Sequence, residues 1–177
     1  MSVKSALLTL SWLILLLSHL AVDAREVPGR LLRVIDGDTL EIQTAQEGYL
    51  RVRLAGIDAP EKSQAFGRVA GAKLRVLTMD KPLRVQVLKT DRYGRSISHV
   101  YAGQEDVGLT MVKEGYAWHF KRFECDQTRA DRARYADAEQ EARRSRRGLW
   151  EQPDPTPPWK FRKPRGPTPT QEVKPRC

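Results

Sequence analysis

Residues 30–57 place the tightest limit on what this chain can fold into, because apolar residues recur there at every second position. Leu32 and Val34 alternate with Arg33 and Ile35, Leu40 and Ile42 with Glu41 and Gln43, and Leu50, Val52 and Leu54 with Arg51 and Arg53. A period of two is the mark of half-buried strands, not of a helix. Asp36–Gly37–Asp38 and Gln46–Glu47–Gly48 carry the residues that tight turns favour, so three consecutive strands are expected here.

From Ser63 the period lengthens. Phe66, Val69, Ala70, Leu74 and Leu77 recur at helical spacing, with Ser63 as the expected N-cap. Two further strands follow, Leu83–Leu88 and Arg95–Tyr101, joined by a turn through Tyr93–Gly94. A short helix over 106–114 stops at Gly115. A longer one over 128–147 carries Tyr135, Ala138, Ala142 and Leu149 as its apolar stripe and stops at Gly148. Three strands, a helix, two strands and two helices predict an α+β domain: a five-stranded OB-fold barrel flanked by about three helices. Such barrels often bind oligonucleotides on one face. That says where to look, not what the protein does.

The ends read differently from the middle. Lys4, an apolar run from Ala6 to Leu17, and Val22 and Ala24 at a small-residue cleavage site make residues 1–24 a secretory signal peptide. The run is too short to span the roughly 30 Å of bilayer hydrocarbon comfortably. The expected location is therefore secreted or periplasmic in a bacterium, with a folded domain over 25–151. Beyond it, eight of the eleven prolines fall between Pro153 and Pro175 among Lys, Arg and Thr, so 152–177 reads as a basic, polyproline-like or disordered tail. Export permits a Cys125–Cys177 disulfide, and two unpaired or intermolecular thiols stand as the alternative. The net charge of +9 is unchanged by loss of the leader, since Lys4 and Asp23 cancel, and it favours a polyanionic partner.

Three segments concentrate charge: Ile35–Thr39, Arg53–Glu61 and Asp91–Arg95. The first two bring Asp36, Asp38, Asp58 and Glu61 to strand ends and turns. Carboxylates gathered in one place repel and raise each other's pKa values, and a hard cation with oxygen ligands relieves the repulsion. Guanidinium groups grip phosphate oxygens in a planar, bidentate way and stay charged at any working pH. A metal, arginines and a spare carboxylate are the parts needed to drive water onto a phosphodiester. Asp-Gly-Asp by itself is also an ordinary hairpin turn. An EF-hand loop starting at Asp36 fails, because Leu40 and Glu41 stand at its fifth and sixth positions.

Taken in this order, Ile35-Asp-Gly-Asp-Thr39, Arg53…Asp58-x-Pro-Glu61 and Asp91-Arg-Tyr-Gly-Arg95 resemble the three signature segments of the staphylococcal (thermonuclease) nuclease family, over about residues 31–150. The resemblance implies a Ca²⁺-dependent nuclease that cuts DNA and RNA to 3′-phosphate and 5′-hydroxyl ends. It implies Asp38, Asp58 and the main-chain carbonyl of Ala59 as metal ligands, with Asp36 acting through water. Glu61 is implied as the general base, and Arg53 and Arg95 as the phosphate clamp. Arg92 and Tyr93 are implied as substrate contacts, and a second contact falls near Phe120 and Lys121. The reference member has Thr where Ala59 stands and Lys where Arg92 stands, and its loop after the glutamate is longer.

Other polar and aromatic residues read as structural. His99 and His119 are expected to be packing or surface residues. Tyr116, Trp118, Phe120 and Phe123 have the chemistry to stack bases, but part of the cluster is expected to close the core beside the barrel, with one ring facing the cleft. Arg143, Arg144, Arg146 and Arg147 suit a helix C-terminus in any protein. Two rivals accompany the nuclease reading: a non-catalytic nucleic-acid-binding barrel, and an envelope interaction protein acting through its tail. A monomer is expected.

Overall fold

Strand β1 (Arg25–Val34) ties the sheet together by pairing with a different partner along each half. Its first half lies antiparallel to β5 (Leu83–Thr90), and its second half lies antiparallel to β2 (Thr39–Thr44). The crossing falls at Gly29, opposite both Thr44 and Leu83. A β-carbon there would sit 2.4 Å from Ile42 Cγ2 and 2.7 Å from the Gln43 carbonyl, so only glycine lets the strands approach this closely. β3 (Gly48–Leu54) continues antiparallel from β2, and its end runs parallel to β6 (Ser96–Ala102), with Arg53 opposite Ile97. The order β3-β2-β1-β5-β6 thereby closes on itself as a five-stranded barrel, the expected OB-type architecture. β4 (Ile57–Asp58) pairs with β8 (Trp118–His119) as a separate short ladder, and β7 (Glu105–Asp106) turns back to pair antiparallel with the end of β6.

These features belong to a computed structural model that describes residues 25–46 and 48–162. The leader, Glu47 of the second turn and the tail from 163 onward, with Cys177 and its pairing to Cys125, lie outside the described residues.

Leu40, Ile42, Val52, Leu54, Val85 and Val100 fill the barrel, and α1 (Gly67–Thr78) closes it with Ala70, Leu74 and Leu77. Two details of the expected pattern shift. A bulge between Leu31 and Arg33 breaks the alternation in β1, so Leu31 and Val34 pack inward while Leu32 is 55% exposed. α1 starts at Gly67 and not at Ser63, because Glu61–Gln64 and Gln64–Gly67 form successive turns and Phe66 enters the helix at φ 66° without a side-chain cap. Val69 accordingly points to solvent.

α2 (Val107–Lys113) and α3 (Arg129–Arg144) pack against each other beside the barrel. Asp106 caps α2 by accepting from the Leu109 amide at 3.1 Å, and Thr128 caps α3 by accepting from Asp131. The hydroxyl of Tyr135, a fully buried α3 residue, donates to the Asp106 carboxylate at 3.0 Å, joining the two helices through one polar contact. His99 and His119 are both buried, as packing residues would be.

The chain does not leave the domain at Gln152. Residues 152–162 lie against it, ending in a single helical turn, α4 (Pro158–Phe161). Trp159 stacks on Phe120 with ring centroids 5.4 Å apart and meets Trp118 edge-on at 6.2 Å. The Thr156 carbonyl accepts from the Gln64 side chain, and Pro158 is buried. Prolines that suggested a solvated tail instead pre-set an extended path, so the segment loses little backbone entropy on docking, and Trp159 supplies the apolar area. No helix among the described residues is long and apolar enough to cross a membrane.

Tyr135→Phe removes the α2–α3 polar contact and leaves a buried carboxylate with only its cap bond. The expected cost is about 1–3 kcal/mol, read as a lower urea midpoint with an unchanged far-ultraviolet spectrum.

Candidate active site

The site begins with the turn between β1 and β2. Asp36 Oδ1 accepts from the amides of Asp38, at 3.1 Å, and Thr39, at 2.8 Å, folding Asp36–Gly37–Asp38 into a compact loop. Gly37 presses against α1 and the end of β4. A β-carbon there would lie 2.6 Å from that of Ala59 and 2.8 Å from that of Ala70. The Asp38 carbonyl accepts from the Leu54 amide at 2.9 Å, and its carboxylate Oδ2 accepts from the Ala59 amide at 2.8 Å. The turn is thus pinned to the end of β3 on one side and to the end of β4 on the other.

This pinning brings Asp38 and Asp58 to one guanidinium. Arg53 pairs through Nη1 with Asp38 and through Nη2 with Asp58 Oδ1 at 2.8 Å. The Asp58 side chain is 1% exposed and that of Arg53 12%. Three carboxylates, counting Asp36, therefore share a largely buried space with one arginine from β3. Burial lifts the Asp36 carboxyl to about 6, helped by the charge of Asp38. Burial likewise lifts Asp58 to about 6, against the opposing pull of Arg53 and with a further push from Asp38. The cluster holds more negative charge than Arg53 alone can neutralise.

Glu61, three residues beyond Asp58, stands at the rim with its side chain 37% exposed. Its amide donates to Gln64 Oε1 at 3.2 Å, which fixes the start of the loop into α1. A second arginine reaches the cluster from the C-terminal segment. Arg162 donates to Asp58 Oδ2 and lies 3.4 Å from Glu61 Oε1.

The remaining residues named from sequence fall in two further places. Arg95 directly precedes β6, and by alternation it shares the outward face of the β3/β6 ladder with Ile97 and Arg53. Its Nε donates to Asp91 Oδ2 at 2.8 Å, which sets the plane of the guanidinium. Burial would raise the Asp91 carboxyl, but the amide and side chain of Arg95 outweigh it and hold that carboxyl below its usual range. Arg92 donates to the Tyr93 hydroxyl at 2.7 Å, and Tyr93 is 64% exposed on the same turn, with Arg95 5.4 Å from its ring centroid. Phe120 lies under Trp159, while the Lys121 ammonium pairs with buried Glu139 of α3 at 3.2 Å. Among the described residues no hydrogen bond or ion pair joins Phe120 or Lys121 to Asp36, Asp38, Asp58 or Glu61.

Sequence reasoning missed Arg162, Trp159 and Glu139. Arg162 and Trp159 lie in a proline-rich stretch with no periodicity to mark them. Glu139 is a charged residue on a helix whose ordinary place is the surface. The one available signal was an isolated tryptophan within an otherwise polar tail.

Hard oxygen donors under mutual repulsion fit a divalent cation in their chemistry. Among the described residues no group of three or more His, Cys, Asp and Glu side chains forms a ready metal site. The ligand set implied by the resemblance is Asp38, Asp58 and the main-chain oxygen of Ala59, with Asp36 acting through water.

Paired buried carboxylates beside arginines at the rim of a closed barrel have the chemistry to bind a cation and phosphate oxygens. Residues 51–152 match the family model described as staphylococcal nuclease homologue. A Shigella flexneri protein named micrococcal nuclease is 39% identical over 144 residues, covering 76% of this chain and 80% of that protein. A protein described as an uncharacterized endonuclease of Escherichia coli O157:H7 is 36% identical over 151 residues, covering 85% of this chain and 94% of that one. The staphylococcal-like nuclease CAN1 of Arabidopsis thaliana is 39% identical over 113 residues, which is 64% of this chain and 33% of that protein. The chain belongs to the staphylococcal nuclease family, and it is a nuclease, a phosphodiester hydrolase.

The raised carboxyl pKa values have a stability consequence with a definite sign. A folded-state pKa of about 6 for Asp58 means the folded protein binds a proton that the unfolded chain releases near 4. Its favourable contribution is present below pH 4 and lost as pH rises through 6. Asp58→Asn should therefore stabilise the cation-free protein by about 1–3 kcal/mol at pH 7.5 and by far less at pH 4, in urea titrations with chelator present.

Proposed function

We propose that the protein is an exported, Ca²⁺-dependent endonuclease that hydrolyses DNA and RNA to 3′-phosphate and 5′-hydroxyl ends. The observation that carries this reading is the locked pair of Asp38 and Asp58, drawn from two separate elements and held together by Arg53 and the Ala59 amide. In this reading Asp38, Asp58 and the Ala59 carbonyl hold the cation, with Asp36 acting through water. A Ca²⁺ bound there would polarise a phosphoryl oxygen and offset the charge of the carboxylates.

The chain's own residues supply the rest. Glu61 has a part-exposed carboxylate at the rim and takes the proton of the attacking water. Arg53 and Arg95, on one face of the β3/β6 ladder, bind the oxygens of the reacting phosphate and stabilise charge as the 5′-oxygen leaves. Arg92 and Tyr93 on the adjoining turn contact the next phosphate or base. Beyond Asp36, a cleft of about 560 Å³ lined by Lys62, Arg68 and Arg75 offers cations along which a polyanion can lie. Export through the leader at 1–24 puts this activity outside the cytoplasm, and the enzyme acts as a monomer.

Glu61→Gln should lower turnover on single-stranded DNA by about 10²–10⁴-fold, as expected for loss of a general base. Arg95→Ala should lower it by about 10²–10³-fold through loss of transition-state charge stabilisation. Glu61→Gln should keep the wild-type unfolding midpoint, and Arg95→Ala should lower it slightly through loss of the Asp91 pairing. Near-normal rates in either would remove that residue from its role.

A further inference from the structure

We propose that residues 157–162 form a strap whose Arg162 occupies Asp58 and Glu61 in competition with the divalent cation, so that cation binding displaces Arg162. This inference rests on the Ca²⁺ reading above. Each oxygen of the Asp58 carboxylate already accepts from a guanidinium, Oδ1 from Arg53 and Oδ2 from Arg162. A Ca²⁺ ion needs direct carboxylate oxygens at roughly 2.3–2.6 Å. A dication and a guanidinium cannot both lie against Oδ2, because the like charges would repel with little water between them. Arg162 also lies 3.4 Å from Glu61 Oε1, so one side chain covers an expected metal ligand and the expected general base together.

The contact is built as a tether and not as a stray surface pair. Trp159, three residues earlier, is stacked on Phe120 and meets Trp118, and the Thr156 carbonyl is bound by Gln64 from the loop that follows Glu61. Anchor and loop hold the end of α4 over the carboxylates. Arg162 itself is 46% exposed, so water and salt weaken its pairing and leave it displaceable. At low cation concentration the strap satisfies the carboxylates and keeps the enzyme idle. At high concentration it yields.

The test is calorimetric titration of Ca²⁺ into wild type, Arg162→Ala and Trp159→Ala without nucleic acid, paired with trypsin cleavage at Lys160–Phe161 in wild type. Arg162→Ala should bind Ca²⁺ about tenfold more tightly, a coupling of ordinary size for two linked events. Trp159→Ala should shift in the same direction, and Ca²⁺ should speed cleavage at Lys160. Because Arg162 is half exposed, its variant should melt within a few degrees of wild type in chelator. Equal Ca²⁺ affinity in wild type and Arg162→Ala overturns the strap while leaving the Ca²⁺ reading intact. Absence of Ca²⁺ binding in every protein overturns the Ca²⁺ reading and the competition with it.

Discussion

Asp38 is the residue through which the site and the barrel constrain each other. Its carbonyl receives the amide of Leu54, its Oδ2 receives the amide of Ala59, and the same carboxylate pairs with Arg53. These bonds fasten a turn, a barrel strand and a short outer strand at one point. They also bring a second carboxylate, Asp58, to the far side of the same guanidinium. Burying several like charges is unfavourable unless they are compensated. The barrel holds them together through backbone contacts, and burial, with a further push from the charge of Asp38, lifts the Asp36 and Asp58 carboxyls to about 6. Sites that spend stability on chemistry commonly have this character.

Much of this was legible in the residues. Alternation in Leu40–Ile42 and Leu50–Leu54 gave two barrel strands, because a strand buried on one face must repeat with a period of two. Asp106 and Thr128 were readable as helix beginnings, since short polar side chains there accept otherwise unpaired amides. Asp36, Asp38, Asp58 and Arg53 come together from the first two charged segments, while the third stands apart on its own turn. What could not be read depends on pairing across distance. The double partnership of β1 and its bulge at Leu32 come from sheet closure, not from local pattern. Ser63 has the right chemistry for a cap, yet the turns beginning at Glu61 delay α1 to Gly67.

The C-terminal segment shows where composition misleads. Proline and basic residues argue against a packed core, and they do so correctly for an average stretch. A single tryptophan changes the balance over 152–162, because a docking surface of Phe120 and Trp118 is already present and proline costs little to order. The same docking delivers Arg162 to Asp58 from 104 residues away along the chain, a contact no local reading could anticipate. Lys121, which the resemblance implies as a substrate contact, pairs with buried Glu139 through its ammonium, a contact that local sequence gave no sign of.

We propose that the carboxylate pair serves a Ca²⁺-dependent cut that leaves 3′-phosphates. It is tested most directly by incubating the protein with single-stranded and duplex DNA in Ca²⁺, in Mg²⁺ and in chelator, then identifying the ends produced. Degradation in Ca²⁺ that stops in chelator and leaves 3′-phosphate and 5′-hydroxyl ends is the expected result. Undiminished cutting in chelator, or 5′-phosphate ends, would contradict it.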